Sequence, residues 1–403
     1  MSQTARLTKA QVNSRYYNTV GGEIVFGTEA QSNVYPLAVA RLVVAQAASV
    51  GKRRLRILEI GAANCAFAGA LLALLEDLTE NGEANLDQID YFAVEYAESA
   101  LETALRTNEE NGSFEQVNRF PTPTDPGAMA LLGSLVNEGV LHVNLYLLHA
   151  EANQCVANST GKFDVVILNE LLDDMPSRAF YSDAEGARYE LTAHAELEET
   201  GWLVTIGAEA LADGASGPDP PPGTLTATSE ESLWLVRGIS GLLESGGLLL
   251  IHDYGFAEPY VATAQYEQPP RTLPSFTRME FPEGSDAGFP RSFFRVFGNE
   301  AAQEIQITND VNFAELTAVL EASGTVITMP HGNSLFAENP SIDALAKGDG
   351  VFLSEFVGLG LHDDLPGLLD DLHRTQGELR ERYAKAYSGG IAAVFNDLIF
   401  VKR

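Results

Sequence analysis

The 403-residue sequence predicts a doubly wound α/β fold built on a mostly parallel sheet. Three observations predict it: strand patterns alternate with helical ones along residues 54–255, several strands are apolar throughout, and each ends in glycine or polar residues. RLRILEI at 54–60 reads as the first strand, closed by Gly61, and CAFAGALLALLEDL behind it has the apolar spacing of a buried helix. DYFAVEY at 90–96 is the second strand, and residues 98–108 have helix-forming composition with an Asn-Gly stop at 111–112. LHVNLYLLH ending at His149, FDVVILNE at 163–170 and LLLIHDYG at 248–255 complete the series. A sheet of this kind is covered by helices on both faces and gathers ligands at the carboxyl ends of its strands.

Two stretches interrupt the alternation and read as surface excursions: residues 207–223, with prolines at 220–222, and the Pro/Arg-rich residues 268–291. The second is expected to open a lid or substrate element, followed by a helix at 311–322 and a longer one at 365–387. The closing AAVFNDLIFVKR reads as a late strand, antiparallel to its neighbours. The resulting division is an N-terminal helical or lid segment at 1–50, a core at 51–256, a substrate or lid insertion at 257–345, and C-terminal helices with the closing strand at 346–403.

Composition narrows the function classes. No apolar run is long enough to span a bilayer, so no membrane partner is expected. The net charge of −31 opposes binding to nucleic acid or anionic lipid; it keeps a surface solvated and would attract a basic partner. Cys65 and Cys155 are too few for a disulfide framework and sit in no zinc-ligand spacing, so no metal is expected and a reducing cytoplasm fits. The first 17 residues carry Arg6, Lys9 and Arg15 without an acid, which suits either a short basic tail or a mitochondrial presequence.

The chemistry-bearing residues fall at the predicted strand ends. LEIGAANCAF turns at Gly61 into a helix whose free N–H groups can meet an anionic group, but Ala63 and either Cys65 or Ala66 stand where a dinucleotide fingerprint wants glycine. Glu95 ends the second strand, where an acid can accept both hydroxyls of a ribose; a plain turn with a solvated acid fits the same residues. FDVVILNELLDDMPSRAF brings Asn169 and Glu170 to the sheet edge, with Asp173 one helical turn on. IHDYGF puts His252, Asp253 and Tyr254 at the end of the fifth strand, as a site or as a strand-terminating turn. The motifs of serine hydrolases, P-loop hydrolases and zinc proteases do not occur.

These residues carry a family resemblance. NELLDDMPSRAF resembles the NEFxDALPVxxF signature of the MidA-type methyltransferases, the group that includes the mitochondrial complex I assembly methyltransferase, with Asn169, Glu170, Asp173, Pro176 and Phe180 in step. IHDYG is similar to that family's DYG at the end of strand five, and the segments at 16–30 and 307–316 are fainter echoes. The departures are the turn Gly61-Ala62-Ala63-Asn64-Cys65 in place of GPGRG, and Asp310 and Asn312 in place of a late His and Asp.

The resemblance implies a Rossmann-like class I methyltransferase sheet binding S-adenosyl-L-methionine. Gly61 and Ala63 would lie near its methionine end, Glu59 near its amino group, Glu95 near the ribose, and Ala150 and Glu151 near adenine, with Asn169 beside the pocket. It also implies methylation of arginine on a protein or peptide partner, in the cytoplasm, or in the mitochondrial matrix for a eukaryotic source. Methyl transfer is an in-line displacement that needs positioning of the acceptor and removal of its water. Glu170, Asp173 and Asp253 are the acids expected to orient a guanidinium, which suits paired, planar recognition. Three other readings follow the same residues: a noncatalytic assembly protein that keeps the fold without the cofactor, a methyltransferase acting on a small molecule or peptide, and a nicotinamide oxidoreductase, which wants a better glycine turn.

Overall fold

The computed structural model describes residues 6–20, 34–111, 114–119, 129–212, 217–256, 260–261, 274–283, 289–290, 293–329 and 395–403. The predicted helix at 365–387 and half of residues 268–291 lie outside them. In chain order the elements are β1 (Leu7–Thr8), α1 (Lys9–Val20), α2 (Val34–Ser49), β2 (Arg54–Ile60), α3 (Ala66–Glu80), β3 (Gln88–Glu95), α4 (Glu98–Asn111), β4 (Glu115–Arg119), β5 (Ala130–Glu138), β6 (His142–His149), α5 (Ala152–Asn158), β7 (Phe163–Asn169) and β8 (Arg178–Ser182). They continue with β9 (Arg188–Glu198), β10 (Gly201–Ala210), β11 (Thr224–Thr228), α6 (Glu230–Leu242), β12 (Leu243–Phe256), β13 (Tyr260–Val261), β14 (Thr277–Glu280), β15 (Phe294–Asn299), β16 (Glu304–Asn309), β17 (Val311–Asn312), α7 (Phe313–Leu320), β18 (Gly324–Met329) and β19 (Phe395–Lys402). The chain divides into two compact units.

The first unit holds residues 21–169, 234–253 and 317–403. Its sheet runs β18-β19-β12-β7-β2-β3-β6-β5-β4. The pairs β12–β7, β7–β2, β2–β3 and β3–β6 are parallel. β7 and β12 are buried on both faces, as strands of a covered parallel sheet must be. Val39, Leu42 and Val43 of α2 and Leu71, Leu72 and Leu75 of α3 form one core with Ile57, Tyr91, Ile167 and Leu250 on one sheet face. Winding proceeds from β2 through β3 to β6 on one side and through β7 to β12 on the other. The topological switch point therefore lies at the carboxyl end of β2, where the chain reaches Gly61. The closing strand β19 pairs antiparallel with β18, Ile399 opposite Ile327.

The second unit holds residues 1–20, 170–233 and 254–316, and the sequence patterns did not reveal its sheet. β13-β11-β8-β9-β10-β14 form this sheet, with β1 on β9, and every pair is antiparallel except β10–β14. Leu191, Ala193 and Ala195 of β9 and Trp202, Val204 and Ile206 of β10 alternate inward, the period-two pattern of a half-buried strand. Trp202 is the anchor of this core: it is fully buried, its Nε1 donates to the carbonyl of Gln303 at 3.0 Å, and the Arg15 guanidinium lies over its ring. Replacing Trp202 by Ala is expected to destabilise this unit by about 3–5 kcal/mol, read by denaturant unfolding followed by circular dichroism. A loss below about 1 kcal/mol would remove Trp202 as the anchor.

Candidate functional site

The first unit presents a turn, two acids and an amide at its switch point. Gly61 leaves β2 at φ +83, a conformation glycine adopts without penalty, and the N–H groups of Gly61 and Ala62 both reach the carbonyl of Val94. Ala63 at φ +46 and Cys65 at φ +60 are also left-handed, so the turn keeps a glycine-like path although side chains occupy it. Each such residue stores about 1 kcal/mol of strain or more, which persists only where the surroundings over-determine the backbone.

Glu95 supplies that constraint. Its carboxylate accepts the N–H of Ala63 at 2.8 Å through one oxygen and the N–H of Ala97 at 2.9 Å through the other. The sequence points to Glu95 as a ribose acid; in the structure it is also the brace of the turn. Ala150 is drawn to the same strand end, its N–H donating to the Glu95 carbonyl at 3.0 Å, and Glu151 starts α5 without capping it through its side chain. Tyr96, not singled out from the sequence, follows Glu95 and is 40% exposed, and its carbonyl meets His149 Nε2 at 2.8 Å. Its position directly after the acid was the available signal.

Glu59 is buried at the end of β2, where the Tyr91 hydroxyl donates to it at 2.8 Å and the Asn169 amide also hydrogen-bonds it. Burial is the largest influence on its carboxyl, and with the nearby Glu95 charge it outweighs those two bonds, raising the pKa to about 8. Burial and the two glutamates likewise push the Cys65 thiol up. Because the folded pKa of Glu59 lies above its unfolded value, its contribution to stability is complete below about pH 4.5 and is lost as pH rises toward about 8. The slope is up to about 1.4 kcal/mol per pH unit within that window. Glu59→Gln is expected to flatten that part of the stability-against-pH curve; an unchanged slope would show that Glu59 is ionised throughout.

Asp253 is fully buried at the end of the β12 segment in this unit. The preceding His252 pairs in register with Asn169, and its Nδ1 meets Asp397 Oδ1 of β19 at 2.7 Å. Asp397 could not have been linked to His252 by sequence, because 145 residues separate them.

Glu170 and Asp173 belong to the second unit, where the signature segment continues. Glu170 takes φ +47 immediately after β7. Asp173 is buried, and its carbonyl accepts the Lys9 ammonium at 2.5 Å and the N–H of Asn309 at 3.1 Å. Lys9 also donates to the Met175 carbonyl and to Asn309 Oδ1, which additionally accepts the Ser177 hydroxyl. The next acid, Asp174, accepts from Asn13 and Tyr17 of α1 and from Gln306 of β16, and burial raises its pKa. Helix α1 thus holds the signature turn in place. Asp310 forms a buried ion pair with Arg295, whose guanidinium stacks on Tyr254 of the DYG segment.

Among the described residues no cluster could hold a metal ion, and no helix is long and apolar enough to cross a membrane.

Residues 38–330 match the model of a family described as "Putative S-adenosyl-L-methionine-dependent methyltransferase". The chain belongs to this family. The methyltransferase is similar to a crystal structure of an uncharacterised protein from Burkholderia thailandensis, with a TM-score of 0.53 and 17% identity over 98% of this chain and 87% of that one. A relative from the same organism and superfamily, solved bound to S-adenosyl-homocysteine, gives a TM-score of 0.46 and 16% identity over 94% of this chain and 79% of that one. The plantazolicin methyltransferase BamL, solved with S-adenosyl-homocysteine and a desmethyl-plantazolicin analogue, gives 0.41 and 11% over 92% and 85%. No curated protein matches the chain. The methyltransferase is therefore an α/β enzyme whose cofactor is S-adenosyl-L-methionine.

Proposed function

We propose that this methyltransferase modifies a side-chain nitrogen of a protein partner, with arginine the favoured acceptor. The observation that carries the reading is the acidic signature turn: Glu170 leaves β7 in a left-handed conformation, and Asp173 follows on a turn tied down by Lys9 and Asn309. Carboxylates carried on a backbone held in this way suit a guanidinium, which offers planar, paired donors. The net charge of −31 favours encounter with a basic partner.

S-adenosylmethionine supplies a methyl group on a sulfonium centre. The residues of the first unit fit that ligand: Glu59 for the amino end, the Gly61–Ala63 backbone for the rest of the methionine, and Glu95 for the ribose. Tyr96, Ala150 and Glu151 suit the adenine, and Asn169 holds Glu59 in place. In this reading Glu170 and Asp173 orient the acceptor nitrogen and take up its proton. A neutral guanidine is the nucleophile, so an acid that accepts the proton raises the rate rather than the affinity for cofactor.

The test is transfer of radiolabelled methyl groups from S-adenosylmethionine to arginine-containing proteins and peptides, followed by amino-acid analysis. Methylarginine is expected. Label confined to another residue or to a small molecule would replace the acceptor assignment. Glu170→Gln is expected to reduce transfer at least about 100-fold while leaving S-adenosyl-homocysteine affinity within about twofold. Unchanged turnover would remove Glu170 from the site.

A further inference from the structure

At the carboxyl end of the parallel sheet, one face carries a row of buried polar side chains. Tyr91 pairs with Ile57, Glu59 with Ile167, and His252 with Asn169. With side chains alternating along each strand, Tyr91, Glu59, Asn169 and His252 share that face, and Asp397 joins through its bond to His252. Such a row is costly in an apolar core and calls for an explanation beyond packing.

Its centre is Glu59. The groups facing it are the Tyr91 hydroxyl and the Glu95 carboxylate from β3, the Asn169 amide from β7 and the Cys65 thiol from the turn, with the His252–Asp397 pair further along the row from β12 and β19. None of those acting directly on Glu59 is a cation, and one is a like charge. An isolated buried carboxylate is far costlier than a buried carboxylic acid, so the ligand-free site keeps the proton. The pKa of about 8 agrees with that.

We propose that cofactor binding expels this proton, so that the pocket exchanges H⁺ for the ammonium at the amino-acid end of the ligand. The proposal rests on the reading above that Glu59 meets that end of the cofactor. The O–H bond of the Glu59 carboxyl breaks, its proton passes to solvent, and the carboxylate forms a charge-assisted hydrogen bond with the ammonium. Nothing is oxidised or reduced. Tyr91 and Asn169, already bonded to the carboxyl, stabilise the charge that appears, and the Glu95 repulsion is offset by the incoming cation. Affinity then rises about tenfold per pH unit from pH 6 to 7 and levels off toward pH 8.

Calorimetric titration of the full chain with S-adenosyl-homocysteine, which carries the same amino-acid end, tests this at pH 6.5 in buffers of different ionisation enthalpy. At that pH the ligand's own amino group stays protonated. Release of about one proton per ligand is expected at this pH. Glu59→Gln is expected to bind with no proton release and no gain in affinity between pH 6 and 7. Difference infrared spectroscopy of the unmodified protein gives a second readout that needs no variant: the carbonyl stretch of a protonated carboxyl should disappear on binding. An apparent enthalpy independent of buffer, with the infrared band retained, overturns proton exchange alone. Absence of ligand binding by equilibrium dialysis overturns the placement of the cofactor as well.

Discussion

Glu95→Ala is expected to weaken S-adenosyl-homocysteine binding at least about 100-fold, or about 2.7 kcal/mol. The size follows from the two tasks of one carboxylate. It braces Ala63 and Ala97 through charge-assisted bonds worth about 1.5–3 kcal/mol each, and in the proposed reading it also meets the ribose. Without the brace, nothing described at the Glu95 carboxylate holds Ala63 in its left-handed conformation, and the turn relaxes away from the ligand. Glu95→Gln separates the tasks, because the amide keeps one acceptor and loses the charge; it should fall between wild type and Ala. Binding by Glu95→Ala within threefold of wild type, by calorimetry, would mean that neither task matters to the ligand.

Gly255→Ala should destabilise the second unit by about 3 kcal/mol or more, at the upper end of what overpacking costs. Gly255 pairs with Val311 where β12 meets β17, and a Cβ at this position would stand 2.1 Å from the Val311 carbonyl oxygen. The obstruction is backbone on both sides, so no rotamer change relieves it. Either the β12–β17 contact opens or Tyr254 shifts off the Arg295 guanidinium that lies over its ring. Denaturant unfolding measures the loss. A change below about 1 kcal/mol would show that the strand pair yields easily, and would leave the glycine of the DYG segment without a steric reason.

How much of this was legible beforehand varies by unit. The parallel strands announced themselves because burial on both faces demands predominantly apolar strands: RLRILEI, FDVVILN and LLLIHDYG lie within β2, β7 and β12. The second sheet stayed hidden for a physical reason. Residues 188–198 read RYELTAHAELE, rich in Ala, Glu and Leu, which favour helix by intrinsic propensity. Ten consecutive register pairs with β10 override that preference. Local composition cannot report a partner strand.

The site divides in the same way. Gly61, Glu95, Asn169, Glu170 and Asp253 were legible as residue types at strand ends, since a parallel sheet presents those ends together. Their order along the chain, together with the apolar strand runs, predicted the fold of the first unit, and the match of residues 38–330 to the family model showed the family. Tertiary structure alone decided that Glu95 braces the turn, that Ala63 and Cys65 follow a glycine path, that Asp174 anchors α1 rather than facing outward, and that Asp397 reaches His252. Hydrogen bonds and proton affinities depend on distance and burial in space, and residues far apart in sequence acquire both only when the chain is folded.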